Sequence, residues 1–74
     1  MNYEISFFND RLTIHKDGQV AYQKSLSDVP PRERYNSKAL AIEAALVMHT
    51  DIQPELCEDI ALRLLDKGWF CLSR

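Results

Sequence analysis

The fold is decided by residues 2–25, which read NYEISFFNDRLTIHKDGQVAYQKS. Apolar and polar side chains alternate along this stretch with a period of two, which is the pattern of β-strands that bury one face. Turn signals interrupt the alternation at Asn9-Asp10 and at Asp17-Gly18. We therefore predict a three-stranded antiparallel meander whose second strand lies between the other two. Its strands cover residues 2–8, 11–16 and 19–25.

The register of this meander follows from the loop lengths that keep apolar side chains opposite one another. A two-residue loop at the first turn pairs Phe7 with Leu12. At the second turn, a two-residue loop sets Val20 opposite His15 and mixes the faces, whereas a three-residue loop pairs Val20 with Ile14. We therefore favour the three-residue loop with a bulge. The predicted apolar face consists of Tyr3, Ile5, Phe7, Leu12, Ile14, Val20 and Tyr22.

The second half of the chain predicts a helical hairpin. A first helix is predicted over residues 37–49, with Asn36 or Ser37 as its cap. Pro54 suits the first position of a second helix over residues 54–67, and Gly68 suits the left-handed residue that ends it. The apolar run at residues 69–72 is suited to a short fourth strand at a sheet edge. The chain is therefore predicted to be a single small α+β domain, with the hairpin packed on the apolar face of the meander.

The two predicted helices differ in how their apolar residues are distributed. The second helix has one inward stripe, formed by Leu56, Cys57, Ile60, Ala61, Leu64 and Leu65. The first helix is apolar nearly all round, and a helix of that kind is normally buried on every side. A small sheet and one other helix cannot cover it fully. Its uncovered side is either Leu40, Ala44 and Val47 or Ala41, Ala45 and Met48.

Composition excludes several classes of protein. The chain has 74 residues, and 46% of them are hydrophobic, which is too high a fraction for a disordered chain. Its net charge of −2 gives no electrostatic reason to bind nucleic acid or an anionic membrane. It contains no uncharged run long enough to span a membrane and no signal-peptide pattern near its start. Its two cysteines, Cys57 and Cys71, are predicted to be core thiols of a cytoplasmic protein.

No motif specifies a catalytic or metal site. The candidate ligands His15, His49, Cys57 and Cys71 are widely separated along the chain, so no two are arranged locally for a metal ion. Acidic neighbours of Cys57 disfavour a thiolate nucleophile, and the chain lacks Gly-x-Ser-x-Gly and a phosphate-binding glycine loop. We predict no catalytic residue, no cofactor and no metal ion, and therefore no enzyme.

A partner-binding surface is predicted at the start of the second helix. Four acidic residues gather there without a neighbouring cation. They either complement the positive helix N-terminus or meet a basic patch on a partner, such as a nucleic-acid-binding groove. Two apolar side chains outside the predicted core, Phe8 and Leu62, also need cover. The predicted partner-binding residues are Asp51, Glu55, Glu58, Asp59, Leu62 and Phe8.

These features predict a non-enzymatic protein-binding module that regulates or inhibits a partner by occluding its surface. Small chains of this type are frequent among phage and mobile-element proteins that act on host machinery, anti-CRISPR inhibitors included. This statement concerns the class of small proteins and is not deduced from any residue of this chain. The partner is another protein of unknown identity, and a two-fold homodimer is a further option. The alternative is a small nucleic-acid-binding regulator that uses the helical hairpin or the loop from Arg32 to Lys38.

Overall fold

The computed structural model describes residues 2–27 and 37–73. The elements are β1 (Asn2–Phe8), β2 (Arg11–Lys16), β3 (Gln19–Ser25), α1 (Ser37–His49), α2 (Pro54–Lys67) and β4 (Trp69–Ser73). The strands form one antiparallel sheet in the order β3-β2-β1-β4, and the two helices pack on one of its faces. The predicted α+β fold, with its meander, helical hairpin and fourth strand, is confirmed. The predicted Asn36 cap and most of the loop from Arg32 to Lys38 lie outside the described residues.

The first hairpin has the predicted register. Phe7 pairs with Leu12, and Phe8 pairs with Arg11, so that two residues form the loop. Both loop residues have positive φ, 51° at Asn9 and 61° at Asp10. This is the geometry of a type I′ turn, whose twist matches that of the strands it joins.

The second hairpin differs from the prediction. Its loop has two residues, Asp17 and Gly18, because Lys16 pairs with Gln19. Val20 therefore lies opposite His15 on the outer face of the sheet, which is the arrangement that we expected to be avoided. The bulge lies one pair further along the strand and not at the turn. β3 therefore has one extra residue, which lies between the residue that pairs with His15 of β2 and the residue that pairs with Ile14 of β2.

This bulge brings the remaining side chains of β3 back into phase with the core. Ile14 pairs with Tyr22, and Leu12 pairs with Lys24. Tyr22 keeps its predicted side of the sheet, and its ring stacks on His49 at a centroid distance of 3.9 Å. The predicted loop length was wrong because a bulge can correct the register at any point of a strand, and the prediction placed this bulge at the turn.

The helix ends follow their local sequence signals. Pro54 opens α2 after Gln53, and Gly68 ends it with φ 82° while donating its backbone N–H to the Leu64 carbonyl. The Gly68 carbonyl then accepts a hydrogen bond from the Phe7 N–H at 2.9 Å. Gly68 therefore both ends the helix and begins the pairing of β4 with β1.

The core lies between the helices and the inner face of the sheet. Its fully covered members from the sheet include Ile5, Leu12 and Ile14, and those from the helices include Ile42 and Leu46. Cys57, Ile60, Ala61 and Leu64 bury the predicted inward stripe of α2, and Leu65 is half-buried. Leu56 is 41% exposed, so its inward assignment is wrong.

Candidate protein-binding surface

The outer side of α2 carries an acidic stripe. Cys57 and Leu64 mark the buried side of this helix. Residues on the opposite side recur every three or four positions, as helical geometry requires. This acidic stripe consists of Glu55, Glu58, Asp59, Leu62 and Asp66, all of which are exposed. Leu62 is an apolar side chain, 51% exposed, among four carboxylates.

The favourable interaction of acids with the positive N-terminus of α2 explains only some of the carboxylates in the acidic stripe. Glu55 is the acidic residue in the first turn of α2, where a negative charge is favoured. Glu58 and Asp59 lie beyond that turn, and the dipole effect falls off within it. Within residues 2–27 and 37–73, the ion pair found joins Lys38 to Asp10 and involves none of these acids. The carboxylates of the stripe are therefore free to meet an external cation.

A second stripe, on α1, is apolar. Ile42 and Leu46 are fully buried, and the side of the helix opposite them carries Leu40, Ala44 and Val47, which we call the α1 stripe. Leu40 is 48% exposed and Val47 is 45% exposed. The structure thus selects the first of the two sides that the sequence left open. In the other set Ala45 is buried and Ala41 is half-buried, although Met48 is exposed.

The two stripes lie side by side on the helix layer. The helices pack against each other and share one core with the inner face of the sheet, and we infer that the sides that they turn from this core adjoin on one outer surface. An apolar patch on one helix is thereby flanked by carboxylates on the next. Protein-binding surfaces have this composition when an apolar centre is bordered by charged groups that select the partner.

The predicted partner-binding residues are distributed over two places. Four of them, Glu55, Glu58, Asp59 and Leu62, belong to the acidic stripe. Asp51 is exposed in the connection between the helices, where its backbone N–H donates to the Tyr3 hydroxyl. Phe8 pairs with Arg11 on the outer face of the sheet and cannot act with the others.

The outer face of the sheet carries a separate group of exposed apolar side chains. Phe8, Val20 and Trp69 are exposed by 59%, 57% and 55% respectively. Trp69 was missed, although the alternation of β4 could have found it, since Phe70 and Leu72 face the core. A shallow cavity of about 400 Å³ lies on this face. It is lined by Ser6, Phe8, Asn9, Arg11 and Thr13.

The two cysteines occupy opposite environments. Cys57 is fully buried, and its thiol donates to the Ile52 carbonyl at a sulfur–oxygen distance of 3.8 Å. Burial raises the pKa of this thiol, and the carboxylates of Glu43 and Glu55 raise it further. Cys71 is exposed, so its predicted place in the core is wrong. It pairs with Glu4 on the outer face because alternation along β4 places Phe70 and Leu72 on the inner one.

Neither a metal site nor a membrane span is found in the described part of the chain. Over residues 2–27 and 37–73, no three side chains of His, Cys, Asp or Glu lie close enough together to hold a metal ion. No helix within those ranges has the length and apolar character needed to cross a bilayer.

Comparison with protein-family models, with curated proteins and with solved structures finds no match to this chain.

Proposed function

We propose that this protein is a non-enzymatic protein-binding module that regulates or inhibits its partner by covering a basic surface of it. The observation that carries the proposal is the pairing of the apolar α1 stripe with the acidic stripe of α2 on one side of the molecule. The first supplies area whose burial is favourable, and the second supplies the charge that orients and selects a partner.

Charge determines the class of partner. The acidic stripe holds four carboxylates, and α2 carries two cations, Arg63 and Lys67. A phosphate backbone would be repelled by this surface, whereas a protein surface rich in lysine and arginine would be attracted. The proposal therefore favours a protein partner over the nucleic-acid alternative, whose loop from Arg32 to Lys38 falls largely outside the described residues. The two free thiols fit a reducing cytoplasm, where we place the protein.

The proposal is tested with the double variant Glu58→Lys/Asp59→Lys. Neither residue lies in the first turn of α2, so both reversals leave the favourable charge at the helix N-terminus in place. The matched control is Glu4→Lys/Gln19→Lys/Ser25→Lys, which changes the net charge by the same amount at exposed strand positions away from the helices. Proteins retained by each immobilised variant are identified by mass spectrometry, and affinities are measured with the purified partner.

The expected result is a loss of affinity of at least about tenfold for the α2 variant, with the control close to the parent chain. Thermal unfolding followed by circular dichroism should give similar midpoints for the α2 variant and the parent. Equal retention of the partner by both variants would overturn the proposal. Loss of folding in the α2 variant alone would also overturn it, because the acids would then be needed for the fold and not for binding.

A further inference from the structure

The outer edge of β4 presents backbone groups that pair with no other strand of the described residues. The Phe7 N–H donates to the Gly68 carbonyl, which fixes the alternation of the β1–β4 ladder. It follows that the backbone N–H and C=O groups of Phe70 and Leu72 bond to β1. Those of Trp69, Cys71 and Ser73 point to the opposite edge of β4. No described strand lies on that side, since β4 ends the sheet. These groups can accept one more strand.

The two edges of the sheet differ in how far they resist such pairing. At the other edge, β3 contains a bulge and carries Lys24, and both features disfavour the addition of a strand. The sequence of β4 is WFCLS, which has no charge and no proline, and no register shift interrupts its pairing with β1. The β4 edge therefore lacks the features that usually block edge pairing.

A groove lies beside this edge, between β4 and α2. Its cavity volume is about 170 Å³. It is lined by Leu56, Asp59, Ile60, Arg63, Phe70 and Leu72. Leu56 faces this groove, which explains why it is 41% exposed although it belongs to an apolar helix face. The guanidinium of Arg63 lies over the Phe70 ring, 5.9 Å from its centroid. A strand added to β4 would turn every second side chain towards this groove.

Charge decides what kind of strand the groove accepts. Asp59 belongs both to the groove and to the acidic stripe, so the carboxylates of α2 continue to the rim. If the β4 strands of two copies paired antiparallel, the two α2 helices would become neighbours on the same face of the joined sheet. Each brings four acids against two cations, so the copies would repel each other there. A basic segment of another protein meets one cation in the groove, Arg63, but it is attracted by the excess of acids over cations on α2.

We propose that β4 and α2 form a site for an extended peptide segment of the partner protein. The segment would add a strand to β4, place an apolar side chain in the groove and set lysine or arginine residues against the acidic rim. This inference rests on the proposed function, because Asp59 serves both surfaces, and it names the form of the partner segment.

The test uses two five-residue peptides with blocked ends. One alternates lysine and valine and begins and ends with lysine, and the other replaces each lysine by glutamate. Each is titrated into the 15N-labelled chain while amide chemical shifts are followed. We expect the basic peptide to shift the amides of Trp69, Cys71 and Ser73 and to slow their hydrogen exchange. The acidic peptide should leave them unchanged.

Two variants separate edge pairing from simple charge attraction. Cys71→Pro removes an N–H that points to the open edge and leaves the ladder to β1 intact, so it should abolish binding. Asp59→Lys should weaken binding of the basic peptide at least tenfold and keep the β4 pairing intact. Amide spectra of both variants report whether the sheet is retained, and if Cys71→Pro disrupts it, Asp59→Lys alone decides the outcome.

The proposal is overturned if the peptides bind equally, if neither binds, or if the shifts map to β3. It is also overturned if light scattering shows a dimer that Cys71→Pro dissociates, since a second copy would then occupy the edge. These readouts are independent of partner capture by the Glu58→Lys/Asp59→Lys variant. The site can therefore fail while the proposed function stands.

Discussion

The two faces of the sheet come from the same strands, yet they have opposite relations to water. On the inner face, Ile5, Leu12 and Ile14 are completely covered by the helices. On the outer face, Phe8 and Val20 are more than half exposed. Since neighbouring residues of a strand point to opposite faces, the difference depends only on which alternate set the helices cover. Apolar character alone therefore does not identify a core residue in this protein, and the face must be known as well.

The largest contrast between the faces should appear in thiol labelling. Cys57 is fully buried beneath the helices, and Cys71 is exposed on the outer face. A domain of this size is stabilised by about 3–5 kcal/mol, so labelling of Cys57 through global unfolding should be slower than that of Cys71 by roughly a thousandfold. Reaction of the single-cysteine variants Cys57→Ala and Cys71→Ala with an aromatic disulfide reagent measures the ratio. Equal rates in the folded protein would contradict the assigned positions.

Truncation of one apolar residue on each face should lower the free energy of unfolding by very different amounts. Ile14→Ala removes a fully buried side chain and should lower the free energy of unfolding by about 2–5 kcal/mol. Val20→Ala, at a 57% exposed position, should change it by less than about 0.5 kcal/mol. Urea denaturation measures both. Because the alanine variant can fail to fold, Ile14→Val is included, with an expected loss of about 0.5–1.5 kcal/mol. Similar losses at both positions would show that the outer face is also covered.

The two glycines sharpen the comparison where the outer face meets a turn. Both have positive φ, 85° at Gly18 and 82° at Gly68. A Cβ at Gly18 meets nothing within 4 Å, whereas one at Gly68 lies 2.9 Å from Cε1 of Phe8. Gly18→Ala should therefore cost about 1–2 kcal/mol from backbone strain alone. Gly68→Ala should cost more, because the Phe8 ring must move.

The extra cost at Gly68 should disappear when the Phe8 ring is removed. In the Phe8→Ala background, Gly68→Ala should cost about as much as Gly18→Ala does in the parent chain, as measured by urea denaturation of the parent chain, the three single variants and the double variant Phe8→Ala/Gly68→Ala. If the two glycine substitutions are equally costly while Phe8 is present, the ring does not pack on Gly68.

The smallest expected effect is a pH dependence that belongs to Cys57. Its pKa in the folded protein is raised from the ordinary value of 9.0 by burial and by the carboxylates of Glu43 and Glu55. At pH values well below 9 the thiol is protonated in both states and has no effect on stability. As the pH rises above 9, the unfolded chain releases this proton first, so the free energy of unfolding should fall.

The control for this effect is the matched pair of cysteine variants. Cys57→Ala removes the titrating group and should flatten the fall in stability between pH 8 and pH 10. Cys71→Ala should retain the fall, because Cys57 is still present in this variant. Urea denaturation at each pH provides the slopes. A slope unchanged by Cys57→Ala would show that other groups cause the dependence.

Much of the fold was predictable because its signals are local. The alternation in β1 and β2 and the two-residue loop at Asn9-Asp10 set the first register. Pro54 and Gly68 set the ends of α2 through the backbone angles that they favour or allow. Each of these signals acts within a few residues, so no knowledge of distant neighbours was needed.

The errors concern residues whose place depends on distant neighbours. Val20 was assigned to the core because the sequence does not show where β3 bulges. Cys71 was assigned there because its neighbours are apolar, although alternation places it on the opposite side from them. Leu56 belongs to an apolar helix face, but the end of that face extends past the core to the groove beside β4.

The candidate site was predictable in part for the same reason. The acids of α2 and Leu62 share a stripe because helical spacing alone brings them together. Phe8 was grouped with them as an uncovered apolar side chain, although the alternation of β1 already places it on the face of the sheet opposite the helices. The composition of α1 left two possible uncovered sides, and the choice between them required the tertiary structure.

The sequence by itself determined the elements, the ends of α2, the first register and the amphipathic character of α2. These depend on backbone angles and on periodicity, which neighbouring residues set. Only the tertiary structure decided the position of the bulge in β3 and the exposed side of α1. Those outcomes depend on which surfaces bury the most apolar area together, and that is a property of packed elements and not of any single segment.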